Sequence, residues 1–349
     1  MPCAVDCATI TGMAWNLIGH SWAENMLQQH VNNHTLRHAY LFTGPQGVGR
    51  RSLALAFARA INCLQPASAG VPCDECRACQ QIGRMQHPDL SIVQVEEEHD
   101  VILVDQIREL QHTLSLAPYE AKYRIALLLN FEQANDNAQN ALLKTLEEPN
   151  ERVILLLTAT LAENLLPTIA SRCEILQLRP TSLQELSRAL MESEKLEQDK
   201  AELLAHIAGG RVGYAFHLCR EPELLARRAS WLEDLLHLLG ASRRERLAYA
   251  EAKAPSRAER TEIREVLREA YEFWCSFWRD VLLTGSRADV PISNLDYAEV
   301  VHHLAQQVNP ENSSVLIRRL EHALQRLGNA NLRLLTEALL LEWPHLEIA

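Results

Sequence analysis

No stretch of this 349-residue chain reaches the roughly 18 consecutive apolar residues that a membrane-spanning helix requires. Its opening, MPCAVDCATITGMA, lacks both the basic region and the continuous apolar region of a secretory signal. A soluble, cytoplasmic protein with no membrane partner is therefore expected. The helical pattern begins at Trp15, just after Met13, so residues 1–14 read as a disordered leader or an upstream-start artefact outside the fold. Positive charge is also short. With 45 acidic residues against 34 basic ones the formal charge is −11, which repels a phosphate backbone and disfavours tight DNA binding by this chain alone. Aromatic residues make up only 5%, and neither an internal repeat nor a low-complexity tract interrupts the chain. Yet 47% of the residues are apolar, enough to bury the cores of two or three helix-rich domains.

Nine cysteines are present, and their distribution is uneven. Cys3, Cys7, Cys173, Cys219 and Cys275 are scattered, whereas Cys63, Cys73, Cys76 and Cys79 follow a C-x9-C-x2-C-x2-C spacing. Without a secretion signal such a cluster argues for metal before disulfides. Short C-x2-C loops let two thiolates bind one tetrahedral zinc, and four thiolates close its shell, so the expected zinc is structural. Unrelated buried thiols are the plainer alternative. His87 competes as a ligand, but His87-Pro88-Asp89 reads more naturally as the turn entering a strand.

After a helix over residues 21–32, the apolar run 39–43 reads as a buried strand that enters a glycine turn, Gly44-Pro-Gln-Gly47-Val-Gly49. A helix with Leu53, Ala54, Phe57, Ala58 and Ile61 on one face follows. Strand, glycine turn and helix make a P-loop topology. Apolar runs at 90–95, 125–129 and 153–157 alternate with helical stretches at 105–115 and 137–147, the pattern of a mainly parallel α/β sheet. A last short strand at Leu176-Gln-Leu-Arg-Pro180 leads to a boundary near residue 179. Helical stretches at 182–192, 198–208 and 212–219, broken by Gly209-Gly210, form a small lid over 180–220. From 221 to the end, amphipathic segments at 257–283, 296–307 and 312–341 form a third, all-helical block.

A working P-loop reads G-x-x-x-x-G-K-[ST]: its amides cradle phosphates, the lysine reaches the β and γ phosphates, and the hydroxyl holds magnesium. Here Gly44 and Gly49 match, but Arg50 stands for the lysine and Arg51 for the hydroxyl. Sliding the register to recruit Ser52 puts Pro45 and Arg50 at the glycine positions, so that rescue fails. Hydrolysis also needs acidic groups at the end of a second strand. The strand Arg124-Ile-Ala-Leu-Leu-Leu129 instead ends in Leu129-Asn130, with Glu132 two residues further on. No ATP or magnesium is expected in this site. Arg172, in Ser171-Arg172-Cys173, reads as a salt-bridged surface group, or as an arginine finger if it projects into a neighbouring phosphate site.

The stretch 38–44, the four cysteines after the P-loop helix, Asn140-Ala-Leu-Leu-Lys-Thr-Leu-Glu-Glu-Pro149 and Ser171-Arg-Cys173 together resemble bacterial clamp-loader subunits of the AAA+ class, over about residues 15–215. Asn329-Ala-Asn-Leu-Arg-Leu334 looks like that family's final collar helix. Gamma and tau members carry intact nucleotide motifs, and delta-prime members have degenerate ones and keep Ser-Arg-Cys, so this sequence falls on the delta-prime side. Gly213 stands where an active member has a lid arginine. The resemblance implies an AAA+ core (15–179) with its zinc module (63–79), a lid, and a collar (221–349) that joins five subunits. It also implies a stator role beside gamma/tau and delta subunits, in a complex that places the sliding clamp on primed DNA, with Arg172 acting in trans. The rival readings are an ATP-hydrolysing subunit of gamma/tau type and a zinc-dependent DNA-binding module.

Overall fold

The computed structural model describes residue 15 and residues 17–96, 99–254 and 260–346. The expected leader, and the start of the helix expected from residue 257, lie outside them. The chain divides into two compact units, one running to Gln198 and including Gly210–Ala215, the other comprising Asp199–Gly209 and the chain from Phe216 on.

The first unit is built on a five-stranded parallel sheet in the order β2-β3-β4-β1-β5, with β1 at Ala39–Thr43, β2 at Leu90–Val93, β3 at Arg124–Leu128, β4 at Val153–Ala159 and β5 at Glu174–Gln177. Every residue of β1, β3 and β4 is buried, because parallel strands joined by helical crossovers are covered on both faces. Side chains alternate between those faces with period two. Tyr40, Phe42, Ile125, Leu127, Ile154 and Leu156 pack against α1 (Ser21–Asn32), α2 (Arg50–Asn62) and α3 (Arg77–Gly83). Leu41, Ala126, Leu128, Leu155 and Leu157 pack against α4 (Val104–Leu114), α5 (Asp136–Glu147) and the single turn α6 (Pro167–Ala170). The last strand lies at 174–177, earlier than the run 176–180 suggests, because it is residues 174–177 that pair with β1. The helix α3, too short to leave a periodic signal, carries Cys79 on its buried side. The unit also holds α7 (Leu183–Glu194).

After α8 (Gln198–Ala208) and α9 (Val212–Arg220), the second unit continues as α10 (Pro222–Gly240), α11 (Arg243–Lys253), α12 (Arg260–Gly285), α13 (Ala298–Gln307), α14 (Pro310–Arg326) and α15 (Leu332–Leu341). The amphipathic stretch 312–341 is thus two helices, with Asn331 capping the second by accepting from the Leu334 amide. Trp231, Tyr271, Trp274, Phe277 and Trp278 centre one apolar core, where the Trp274 indole donates to the Trp231 carbonyl and meets Trp343 edge-on at 5.0 Å. None of the described helices is long and apolar enough to cross a membrane.

Candidate functional site: a degenerate P-loop, a thiol cluster and a latched arginine

The sheet order puts β1 inside the sheet and delivers its C-terminal end to the glycine turn. Gly44, Gly47 and Gly49 all have positive φ (142°, 81° and 109°), so the loop keeps the backbone path that favours glycine. At two positions the lack of a side chain is also a matter of room. A Cβ on Gly44 would stand 2.5 Å from the Leu178 carbonyl oxygen, and one on Gly47 would stand 2.9 Å from Tyr214 Cβ. The second closeness arises because the segment 210–215 lies on the loop: the Gly213 amide donates to the Gly47 carbonyl at 2.7 Å. A Cβ on Gly213 would come within 3.1 Å of that same oxygen. On the loop's other flank, the His20 ring nitrogen Nε2 hydrogen-bonds the Val48 carbonyl at 2.8 Å.

Arg50, at the first position of α2, is buried and points at the end of β3. Its Nη2 donates to Asn130 Oδ1 at 3.1 Å, and Nη1 lies 3.9 Å from Glu132 Oε1. Burial lowers its pKa, and Glu132 pulls the other way. Glu132 is itself held by Thr160, whose amide and hydroxyl both donate to Oε1 at 3.0 Å. Leu129 is buried in the core beneath the P-loop helix, and Asn130 takes a left-handed backbone (φ 48°) with its amide on the Thr158 hydroxyl. The fold therefore brings Gly44, Gly47, Gly49, Arg50, Asn130 and Glu132 together. Arg51 is exposed, its guanidinium against Met85. A guanidinium on a neutral amide occupies the place where active P-loops set a lysine and a metal-holding carboxylate. The bond between Gly47 and Gly213 left no mark in the sequence beyond the two glycines themselves.

The sulfurs of Cys63, Cys73, Cys76 and Cys79 all lie within 4.8 Å of one another. Zinc–sulfur bonds of about 2.3 Å at tetrahedral angles put sulfurs about 3.8 Å apart, and Cys63 and Cys73 are at 3.5 Å, so the four could hold a zinc ion. Backbone amides support the cluster: Cys73 donates to the Cys63 sulfur and Cys76 to the Cys73 sulfur, both at 3.3 Å. Burial pushes the Cys79 thiol up, whereas at Cys76 the burial effect is outweighed by hydrogen bonds from the Cys79 and Leu64 amides and the thiol falls to about 6. His87 is engaged elsewhere, its Nδ1 accepting from the Asp89 amide and its Nε2 3.7 Å from Glu120.

Arg172 follows α6 and is fixed at two points. Its Nη1 donates to the Thr168 carbonyl at 2.9 Å and its Nη2 to Glu147 Oε1 at 2.8 Å. The neighbouring Cys173 thiol is pushed up to about 12 by burial. Glu147 went unremarked in the sequence, where it reads as the charged end of a helix stopped by Pro149.

A family model described as "DNA polymerase III, delta subunit" matches residues 19–182. The chain is 40% identical over 198 residues to DNA polymerase III subunit delta' of Pseudomonas aeruginosa, covering 55% of this chain and 58% of that one. With subunit delta' of Bacillus subtilis it shares 33% over 214 residues, 61% and 63% of the two lengths. With the Bacillus subtilis subunit tau it shares 30% over 231 residues, 65% of this chain and 40% of that protein. The chain thus spans about three-fifths of the length of the two delta' proteins. A solved gamma subunit-related protein of Thermotoga maritima aligns with 91% of this chain and 97% of its own length at 16% identity and a TM-score of 0.44. Over residues 19–182 this chain is similar to the DNA polymerase III delta-subunit family.

Proposed function

We propose that this chain is a non-catalytic stator subunit of the DNA polymerase III clamp loader, of delta-prime type, residing in the cytoplasm. In this reading it joins gamma/tau and delta subunits in a heteropentamer that loads the sliding clamp on primed DNA, and it lends Arg172 to a neighbour's ATP site. Residues 15–179 act as the AAA+ core, 180–220 as the lid and 221–349 as the collar.

The observation that carries the proposal is the replacement of nucleotide chemistry by internal bonds. Arg50 is spent on Asn130 and Glu132, and the Gly47 carbonyl on the Gly213 amide. ATP entering this loop would displace both sets of contacts, and magnesium would meet Leu129 and Asn130 instead of two carboxylates. Equilibrium dialysis of the purified chain against ATP and magnesium is expected to give no binding at micromolar nucleotide. Arg50→Lys alone should not restore it, because Arg51, Leu129 and Asn130 remain. A micromolar dissociation constant would move the chain to the gamma/tau type.

The trans role is tested by Arg172→Ala in reconstituted complexes. An arginine supplied to a transferring phosphoryl group is worth roughly 10³ to 10⁵ at one site. Sites served by other subunits keep their own groups, so clamp- and DNA-stimulated turnover should fall by about the share of the one affected site. Equal assembly is checked by size-exclusion chromatography. Unchanged turnover and clamp loading would leave Arg172 as a surface residue only.

A further inference from the structure

We infer that Glu147 is a positioning residue that latches Arg172 in a retracted pose, so that the arginine is released only when phosphate charge outcompetes this carboxylate. The inference rests on the trans role proposed for Arg172. Each terminal nitrogen of the guanidinium commits an N–H within this chain, Nη1 to the Thr168 carbonyl and Nη2 to Glu147 Oε1. These are the donors a fork-shaped guanidinium uses on a phosphoryl group, and the planar fork cannot serve a carboxylate and a phosphate with the same N–H groups at once. Two different elements create the latch. Glu147 is the last residue of α5, Thr168 lies within α6, and Arg172 comes directly after Ser171, the cap of α6, so the relation of two helix ends sets the pose.

The latch is weak enough to open. The Arg172 and Glu147 side chains are 34% and 51% exposed, which puts their attraction in the range of solvent-screened pairs. A retracted state of that stability reduces the fraction of Arg172 available to a neighbour, and removing the carboxylate returns it. The expected gain is about 1.5- to 5-fold in the Arg172-dependent part of turnover. The neighbour's terminal phosphate carries more charge than a single carboxylate, so a correctly seated nucleotide wins the exchange and a poorly seated one does not. Glu147 thereby links release of the arginine to alignment of the neighbouring site.

The experiment measures ATP turnover, without clamp or DNA, in full complexes reconstituted with wild-type chain, Glu147→Gln, Arg172→Ala and the double variant. Glu147→Asp serves as the charge-conserving variant and Glu148→Gln as a charge-loss control one residue away. The Arg172-dependent part is the difference between each chain and the same chain carrying Arg172→Ala, which is made for every variant. Supporting the latch, Glu147→Gln raises that part by about 1.5- to 5-fold, the rise vanishes in the double variant, Glu147→Asp returns it toward wild type, and Glu148→Gln leaves it unchanged. If Arg172→Ala lowers turnover but Glu147→Gln does not raise it, or raises it equally without Arg172, the latch is overturned while the trans role stands. If Arg172→Ala changes nothing, both fall together.

Discussion

Exchange of Cys73 for serine is expected to release zinc and to unfold the segment between residues 63 and 83 while the sheet persists. The wild-type chain, purified without chelator, should carry about one zinc by elemental analysis, and the variant far less. The effect is large because structural zinc contributes apparent binding free energy of about 10–16 kcal/mol in small zinc domains, against about 1 kcal/mol for an ordinary hydrogen bond. The segment has little else of its own. Apart from α3 it contributes an isolated bridge between Ser68 and Val71, an ion pair of Asp74 with Arg59, a bond from Lys122 to the Cys63 carbonyl and one from the Trp15 indole to the Gly70 carbonyl. Those tethers end on the surrounding unit, whose two cores take only Ile82 as a buried member from this segment, so the damage should remain local. Hydrogen exchange would read it as loss of protection across 63–83 with the amides of β1 and β4 unchanged. A Cys73→Ser chain with full zinc content and unchanged protection would show that the thiols do not form one site. Acid should act in the same direction as the substitution, since protons compete with metal for thiolates.

Arg246→Ala is expected to destabilise the helical second unit by about 3 kcal/mol or more, enough to make it melt before the first. Arg246 is buried, and it donates five hydrogen bonds: to Leu238 and Leu239 at the end of α10, to Leu340 in the last turn of α15, and to Trp343 and Pro344 just beyond. All five acceptors are backbone carbonyls. Helix C-termini leave carbonyls without intrahelical partners and carry partial negative charge, so one buried guanidinium caps two helix ends together. Burial lowers its pKa, yet a guanidinium stays charged at any working pH. Truncation would strand several of these carbonyls in a dry core at about 1–3 kcal/mol each, less whatever water can reach them. Arg246→Lys should recover part of the loss, because an ammonium has three donors and no planar fork. Calorimetry on both variants checks this, and an unchanged transition for Arg246→Ala would mean the carbonyls find other partners.

Much of the first unit is legible in the sequence, for a physical reason. Parallel strands buried on both faces must be continuous apolar runs, so residues 39–43, 125–129 and 153–157 announced themselves, and only glycine tolerates the backbone of positions 44, 47 and 49. Local spacing likewise grouped the four cysteines, since C-x2-C thiols are neighbours whatever surrounds them. The losses of lysine, hydroxyl and carboxylates at 50, 51, 129 and 130 are facts of composition at fixed positions and needed no fold to be seen.

Tertiary structure alone decided what those residues do instead. Arg50 and Asn130 are eighty positions apart, and their bond exists because β3 ends beside the start of α2 in the folded unit. Gly213 reads as a missing side chain, but its use, an amide donated to Gly47, follows only from the segment 210–215 folding back on the loop. The run Arg243-Arg244-Glu245-Arg246 is charged throughout, and nothing local distinguishes the one arginine that two distant helix ends draw inward. Sequence patterns report what a residue's own neighbours along the chain require of it. Polar contacts between elements depend on where those elements come to rest, and nothing along the 25 positions that separate Arg172 from Glu147 is a local sign that the two side chains meet.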